Sequence, residues 1–331
     1  MKPPRVILSG YGRWGKNIAR VLHELGALAA IVDHDASARS GARSLGVPVF
    51  ADIDDVPAGF EARALAIATP AATHTHVALR GLDRGWDVFV EKPLALSVED
   101  AELLTAEADR RGAILMTGHI LLYHPAVRAL KRLIAEGELG DIRYLYSNRL
   151  NLGRVRREEN ILWSFAPHDI AVILHLLGEF PTQISAVGGA WILAGVADVT
   201  TTHMAFPGGA RAHVFVSWLH PHKEQRLVVV GSRKMAVFDD LNDAEKLVVL
   251  DAGVDIESDG IPTERQGPRT VVAFESKEPL RAELEHFLQS IRTRQAPLTD
   301  GKNGIDVLRV IAAAEADLPR PRPGSRVEKP H

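Results

Sequence analysis

The sequence predicts an α/β N-terminal domain with a parallel sheet covered on both faces, followed by an α+β domain whose strands pair through hairpins. Three observations predict this. Over the first 120 residues, short apolar runs alternate with helical stretches, the pattern of a parallel sheet buried on both sides. A glycine-rich turn, Gly10–Gly15, separates the first run from the first helix. From about Ile142 the runs alternate polar and apolar residues instead, which leaves one sheet face buried and the other available.

In order, the strand Val6–Ser9 leads to a helix at Lys16–Leu25 and then to the strand Leu28–Val32. Ala64–Ala68 precedes a helix at His74–Arg84, Val88–Val90 precedes one at Val98–Arg111, and Ile114–Thr117 reads as a further buried strand. In the second half, Ile142–Leu150, Thr200–Phe206, Arg211–Trp218, Gln225–Val230 and Met235–Asp239 read as strands. Pro207-Gly208-Gly209 and Gly231-Ser232 supply hairpin punctuation. Helices are expected at Phe165–Leu177, near Leu280–Arg292 and at Gly304–Asp317. The expected division is 1–120 for the first domain and 121–318 for the second. The Pro- and Arg-rich tail 319–331 is expected to be poorly ordered or to reach across a partner subunit.

Composition narrows the function. With 46% hydrophobic and 24% charged residues the chain has an ordinary globular balance. A net charge of −3 over 331 residues argues against a nucleic-acid binder. With no cysteine, disulfides, thiolate metal sites and cysteine nucleophiles are excluded. No apolar stretch approaches the length that crosses a bilayer, and no secretory signal precedes Val6. The expectation is a cytoplasmic protein that binds neither membrane nor nucleic acid.

Gly10-Tyr11-Gly12-Arg13-Trp14-Gly15 fits the dinucleotide fingerprint of a Rossmann domain in its proper context: a strand before, a helix after, and Asp33 at the end of the next strand. Gly10 permits the tight turn, Gly12 lets backbone approach the pyrophosphate, and Gly15 permits close helix–strand packing. The helix N-terminus offers free N–H groups to phosphate. Asp33 can accept from both adenosine ribose hydroxyls and would repel a 2′-phosphate, so NAD is expected over NADP.

Ala68-Thr69-Pro70 with His74, then Glu91-Lys92-Pro93, Pro125–Gly140, Pro167-His168-Asp169-Ile170 and Glu278–Leu280 resemble the Gfo/Idh/MocA family of sugar and cyclitol oxidoreductases over nearly the whole chain. The resemblance implies a Rossmann domain followed by an α+β domain built on a large open antiparallel sheet. It implies coenzyme contacts from Thr69, Pro70, His74, Glu91 and Lys92, and catalysis by Lys92 and His168. The chain departs from the common family pattern in one place. Ser164 and Ala171 stand where many members carry aspartates, and Glu158-Glu159-Asn160 replaces a Gly-Gly pair.

Oxidising a secondary alcohol requires a hydride acceptor, a base, and a cation for the developing alkoxide. Lys92 follows a strand at the carboxyl edge of the sheet, where ligands bind in such folds. A lysine beside oxidised nicotinamide loses its proton more readily through like charge and desolvation. His168 is the expected general acid/base, since an unperturbed imidazole titrates near about 6.5. Placed at the start of its helix, it would be kept neutral by the dipole. Both side chains are expected near C4 of the coenzyme ring. His175 reads as core packing.

Arg149, Arg154, Arg156 and Arg157 cluster ahead of the His168 helix. Arginine forks suit phosphate oxygens, although pairing with Glu158 and Glu159 in a solvated loop explains them equally well. The stretch Asn148–Asp169, with Trp218-Leu219-His220-Pro221 and Lys223, is similar to family members that oxidise UDP-N-acetylglucosamine at C3. In those enzymes the keto product feeds an aminotransferase that makes amino sugars for lipid A or surface polysaccharide. Trp163 and His220 are further candidate substrate contacts, Trp163 reading equally as core. His220 and His222 have no third partner that would indicate a metal. An inositol or free monosaccharide dehydrogenase, which would not need the arginines, and a catalytically silent NAD-binding regulator are the alternatives. A homodimer or homotetramer is expected, since an open sheet with an available face is a natural subunit interface.

Overall fold

The structure, a computed structural model, describes residues 2–153, 155, 159–256 and 260–318. The chain divides into two compact units, the first running to Tyr123 and including Lys277–Leu308, the second holding His124–Ser276 and the segment that begins at Arg309. The linear division at residue 120 is therefore corrected at its C-terminal side. The helices after Lys277 are distant in sequence from the first sheet but cover part of it.

In the first unit, strands β1 (Val6–Ser9), β2 (Leu28–Val32), β3 (Val49–Phe50), β4 (Ala64–Ile67), β5 (Asp87–Glu91) and β6 (Leu115–Gly118) form one parallel sheet in the order β3-β2-β1-β4-β5-β6. Every residue of β1, β2, β4 and β6 is buried, which is why these strands read as continuous apolar runs. Crossovers are made by α1 (Gly15–Glu24), α2 (Ala36–Ala42), α3 (His74–Asp83) and α4 (Val98–Arg110). Ser97 caps α4 by accepting from the Asp100 N–H, and Asp35 caps α2 from Ser37 and Ala38.

The second unit begins with α5 (Pro125–Ala135), which starts on a proline after a capping His124. β7 (Ile142–Leu152), α6 (Ile161–Leu177), β8 (Gln183–Gly189), β9 (Val199–Ala205), β10 (Arg211–Ser217), β11 (Leu219–Gly231), β12 (Met235–Asp239) and β13 (Leu247–Leu250) follow. β14 (Gly253–Ile256) and β15 (Pro262–Arg265) make a separate hairpin, and β16 (Arg269–Val271) closes the main sheet. That sheet has eight strands in the order β16-β13-β12-β11-β7-β10-β9-β8. All neighbours are antiparallel except β7 and β10. The sheet is thus mixed rather than wholly antiparallel. The chain leaves β7 through α6 and returns to its side only after β8 and β9, and such a crossover brings strands back in the same direction. On one face Leu145, Ser147, Val214 and Val216 are buried, while on the other Tyr146, His213 and His203 stand in a row across β7, β10 and β9. The Tyr146 and His213 rings stack at 5.3 Å.

α7 (Pro279–Thr293) and α8 (Gly301–Ala316) end the described chain. α7 returns to the first unit. Phe287 packs against Phe89 of β5 with ring centroids 5.7 Å apart, and Arg294 holds the buried Asp87 through two contacts of 2.7 and 2.9 Å. Arg20 and Glu24 of α1 pair with Glu278 and Arg281. Among the described residues no helix is long and apolar enough to cross a membrane.

Candidate active site

The glycine loop is built as its spacing predicts. Gly10 sits at φ +96°, and a Cβ there would lie 2.7 Å from the Ala68 carbonyl carbon, so only glycine fits. A Cβ on Gly15 would collide with the Gly10 carbonyl oxygen. Gly12 is the opposite case, with nothing within 4 Å of its Cβ position. The loop thus exposes bare backbone ahead of the α1 N-terminus, and its residues fit a dinucleotide pyrophosphate. Asp33 accepts from the Tyr11 N–H at 2.6 Å and from the Asp35 N–H at 2.8 Å, which fixes its carboxylate at the β2 end beside the loop. Arg39, the nearby guanidinium that could have met a 2′-phosphate, donates instead to the carbonyls of Asp33 and His34. Tyr11 contributes its N–H while its ring is buried, and Arg13 is exposed.

Three residues expected at the coenzyme hold the loops rather than reach outward. His74 is buried, and its Nδ1 and Nε2 lie 2.8 Å from the Pro93 carbonyl and 2.9 Å from the Thr69 carbonyl. It lies between the Thr69-Pro70 turn and the cis Lys92–Pro93 turn, and as a neutral ring donates its one N–H to one of the two carbonyls. Burial pulls its pKa down, against the two carbonyl contacts. The Trp14 Nε1–H donates to Glu91, tying the phosphate loop to the lysine turn. Burial pushes the Glu91 carboxyl up to about 7, opposed by that Trp14 hydrogen bond and by Lys92. Thr69 receives the Thr73 hydroxyl at 2.7 Å, and Pro70 is exposed.

Lys92 lies just past the carboxyl end of β5. Because Glu91 pairs with Gly118 in parallel register, His119 lies just past the end of β6, beside Lys92. Sequence reasoning missed His119. Its Nδ1 is 2.7 Å from the Asn303 oxygen of α8, which orients the ring. Burial holds this imidazole down at about 4, with the Lys92 charge acting in the same direction. It is a neutral acceptor at physiological pH.

In the second unit, α6 begins four residues earlier than Phe165, at Ile161, because Asn160 caps it by accepting from the Trp163 N–H. Pro167 lies inside the helix. His168 is therefore well beyond the first turn, where a helix dipole no longer acts appreciably, and the dipole argument for its neutrality fails. His168 and Phe165 are half-buried amid a helix that is otherwise almost fully buried. His175 behaves as a packed residue, held down at about 4 by burial and by Lys131 and Arg128.

Arg149, expected as a substrate contact, is engaged within the fold. Its Nε donates to Asp169 at 2.7 Å and a terminal nitrogen donates at 3.2 Å, while the Ser147 hydroxyl gives Asp169 a third bond at 2.6 Å. The guanidinium fork is occupied by the carboxylate next to His168, and both partners are buried, with side chains 12% and 5% exposed. Trp163, 8% exposed, is a core residue rather than a substrate platform. The His220 ring is held by the carbonyl of His222. Arg154, Arg156 and Arg157 lie outside the described residues.

Residues 5–119 match the family described as oxidoreductases with an NAD-binding Rossmann fold, and residues 127–237 match the GFO/IDH/MocA C-terminal domain. The chain is 30% identical to UDP-N-acetylglucosamine 3-dehydrogenase of Acidithiobacillus ferrooxidans over 94% of its length and 97% of that protein. A solved structure of that dehydrogenase superposes with a TM-score of 0.82 at 29% identity, covering 95% of this chain and 98% of the other. The chain is also 26% identical to scyllo-inositol 2-dehydrogenase (NAD(+)) of Bacillus subtilis, over 71% of this chain and 69% of that one.

Proposed function

Since the chain belongs to the Gfo/Idh/MocA oxidoreductases, enzymes that take NAD and act on sugar hydroxyls, we propose that it oxidises a nucleotide sugar, with C3 of UDP-N-acetylglucosamine as the preferred position. The observation that carries this reading is the pairing of a dinucleotide loop with a lysine turn that Trp14, Glu91 and His74 fix in place. The finer choice of substrate is supported by likeness to the A. ferrooxidans enzyme along nearly the full length of both chains.

Bound NAD supplies a two-electron acceptor for the hydride. Lys92 binds the reacting hydroxyl and favours its alkoxide by charge. His168 takes the hydroxyl proton. Trp14, through Glu91, and His74, through the Pro93 carbonyl, keep the Lys92 turn in register with the phosphate loop. Asp169, locked by Arg149 and Ser147, anchors the helix that carries His168 to the sheet.

NADH formation monitored with UDP-N-acetylglucosamine, UDP-glucose, free N-acetylglucosamine and the inositols tests the proposal. Turnover confined to the nucleotide sugars is the expected result. Turnover of free polyols alone would overturn it in favour of a cyclitol dehydrogenase, the second reading, which the engagement of Arg149 by Asp169 and the inositol relative both favour. The enzyme is further proposed to assemble as a homodimer or homotetramer through the open face of the eight-stranded sheet, where Tyr144 and Val187 are 45% and 65% exposed. Light scattering is expected to return at least twice the 36.1 kDa chain mass, and a monomer would refute the assembly.

A further inference from the structure

Glu283 of α7 is fully buried, and neither of its carboxylate oxygens has a hydrogen-bond partner among the described residues. Its place in the helix says what it faces. Residues two apart on a strand share a face at about 6.6 Å spacing, and residues four apart on a helix share a face at about 6 Å. Phe89 and Glu91 are such a pair on β5, and Phe287 and Glu283 are such a pair on α7. The two phenylalanine rings pack at 5.7 Å. One step along each element brings Glu283 and Glu91 to the same side of that ring pair, and the Glu91 carboxylate raises the proton affinity of Glu283, burial being the larger cause.

Their surroundings are unequal. Glu91 receives the Trp14 indole N–H and the Lys92 backbone N–H, the latter at 3.3 Å, and feels the Lys92 charge. Glu283 receives no donor. From the side of β6, His119 is neutral. Tyr123 of the following turn packs its ring on His286. From α1, Arg20 and Glu24 are taken up by Glu278 and Arg281 in half-exposed pairs. A buried carboxyl without a donor, with a second carboxylate acting on it, favours its protonated form.

We propose that Glu283 and Glu91 share one proton beneath Lys92, and that binding of oxidised coenzyme releases it. With the proton in place the pair carries one negative charge, which balances Lys92. The cationic nicotinamide of NAD⁺ favours the doubly charged pair, and neutral NADH does not. Linkage then makes the preference for NAD⁺ over NADH rise with pH. Glu283 acts through Glu91 and is a positioning residue. The inference rests on the reading of Lys92 as the coenzyme lysine, whereas its test needs no sugar substrate.

Calorimetric titration of the full chain with NAD⁺ and with NADH, in buffers of differing ionisation enthalpy, measures both affinity and proton release. The wild type is expected to improve its NAD⁺ to NADH affinity ratio by about tenfold between about pH 6 and about pH 9, with proton release on NAD⁺ binding. Glu283→Gln, which keeps shape and cannot ionise, is expected to show a flat ratio and no release. A variant that releases protons as the wild type does overturns the proposal. Infrared difference spectra of the wild type provide an arm that depends on neither coenzyme nor variant folding. A carboxylic acid carbonyl band that fades between about pH 6 and about pH 9 is expected, and absence of that band at the acid end overturns the shared proton.

Discussion

Lys92→Met is expected to lower kcat by about a thousandfold while NAD⁺ binds within about tenfold of the wild type. Lys92 follows the end of β5, beside a histidine held neutral at the end of β6. Removing the lysine charge raises the barrier to forming an alkoxide, while the loop Gly10–Gly15 and Asp33 still hold the coenzyme. Coenzyme affinity from tryptophan fluorescence and turnover by NADH absorbance separate the two effects. A variant that loses coenzyme binding and turnover in proportion would return Lys92 to a purely structural role. His168→Asn is expected to cost about a hundredfold or more in kcat/KM. If kcat/KM were undiminished, the proton acceptor would lie elsewhere.

The second large effect falls on stability. Arg149→Met leaves the buried Asp169 carboxylate without its cation, and a charge stranded in this way costs about 3–5 kcal/mol. The three bonds to Asp169 come from two inward residues of β7 and fasten α6 to the sheet. Adding Asp169→Leu to Arg149→Met is expected to recover more than half of the loss, because the uncompensated charge is then gone. Denaturant unfolding of the two variants measures this. If Arg149 instead bound substrate phosphate, Arg149→Met would raise KM and leave the unfolding midpoint where it was.

The first sheet and its loop were legible in the sequence because their signals are local. Gly10 and Gly15 answer to steric demands from neighbours close in the chain or at the adjacent strand end, Gly12 leaves its backbone bare, and Asp33 follows at a fixed remove. The partner of Arg149 was not legible, because a basic residue shows its charge in sequence but not its partner, here a carboxylate twenty residues later on another element. The start of α6 lies four residues before the expected Phe165, because the cap that sets it, Asn160, is a single polar residue ahead of the apolar run. Glu283 carried a signal that went unused. It falls on the apolar stripe of α7 with Leu280, Leu284 and Phe287, all buried, where a charged residue has no solvent to face. The parallel pairing of β7 with β10 left no local trace, since it depends on the path through α6, β8 and β9.

The return of α7 to the first sheet bears on how the polypeptide matures during synthesis. A nascent chain that has emerged only as far as Tyr123 holds all six parallel strands, yet Phe89 lacks its ring partner and Asp87 lacks Arg294. These arrive only with Phe287 and Arg294, after the entire eight-stranded sheet has been synthesised. The coenzyme half is therefore not a cassette that can be excised or grafted by cutting at a single point. Its apolar flank waits, open to chaperones, until the last helices are translated.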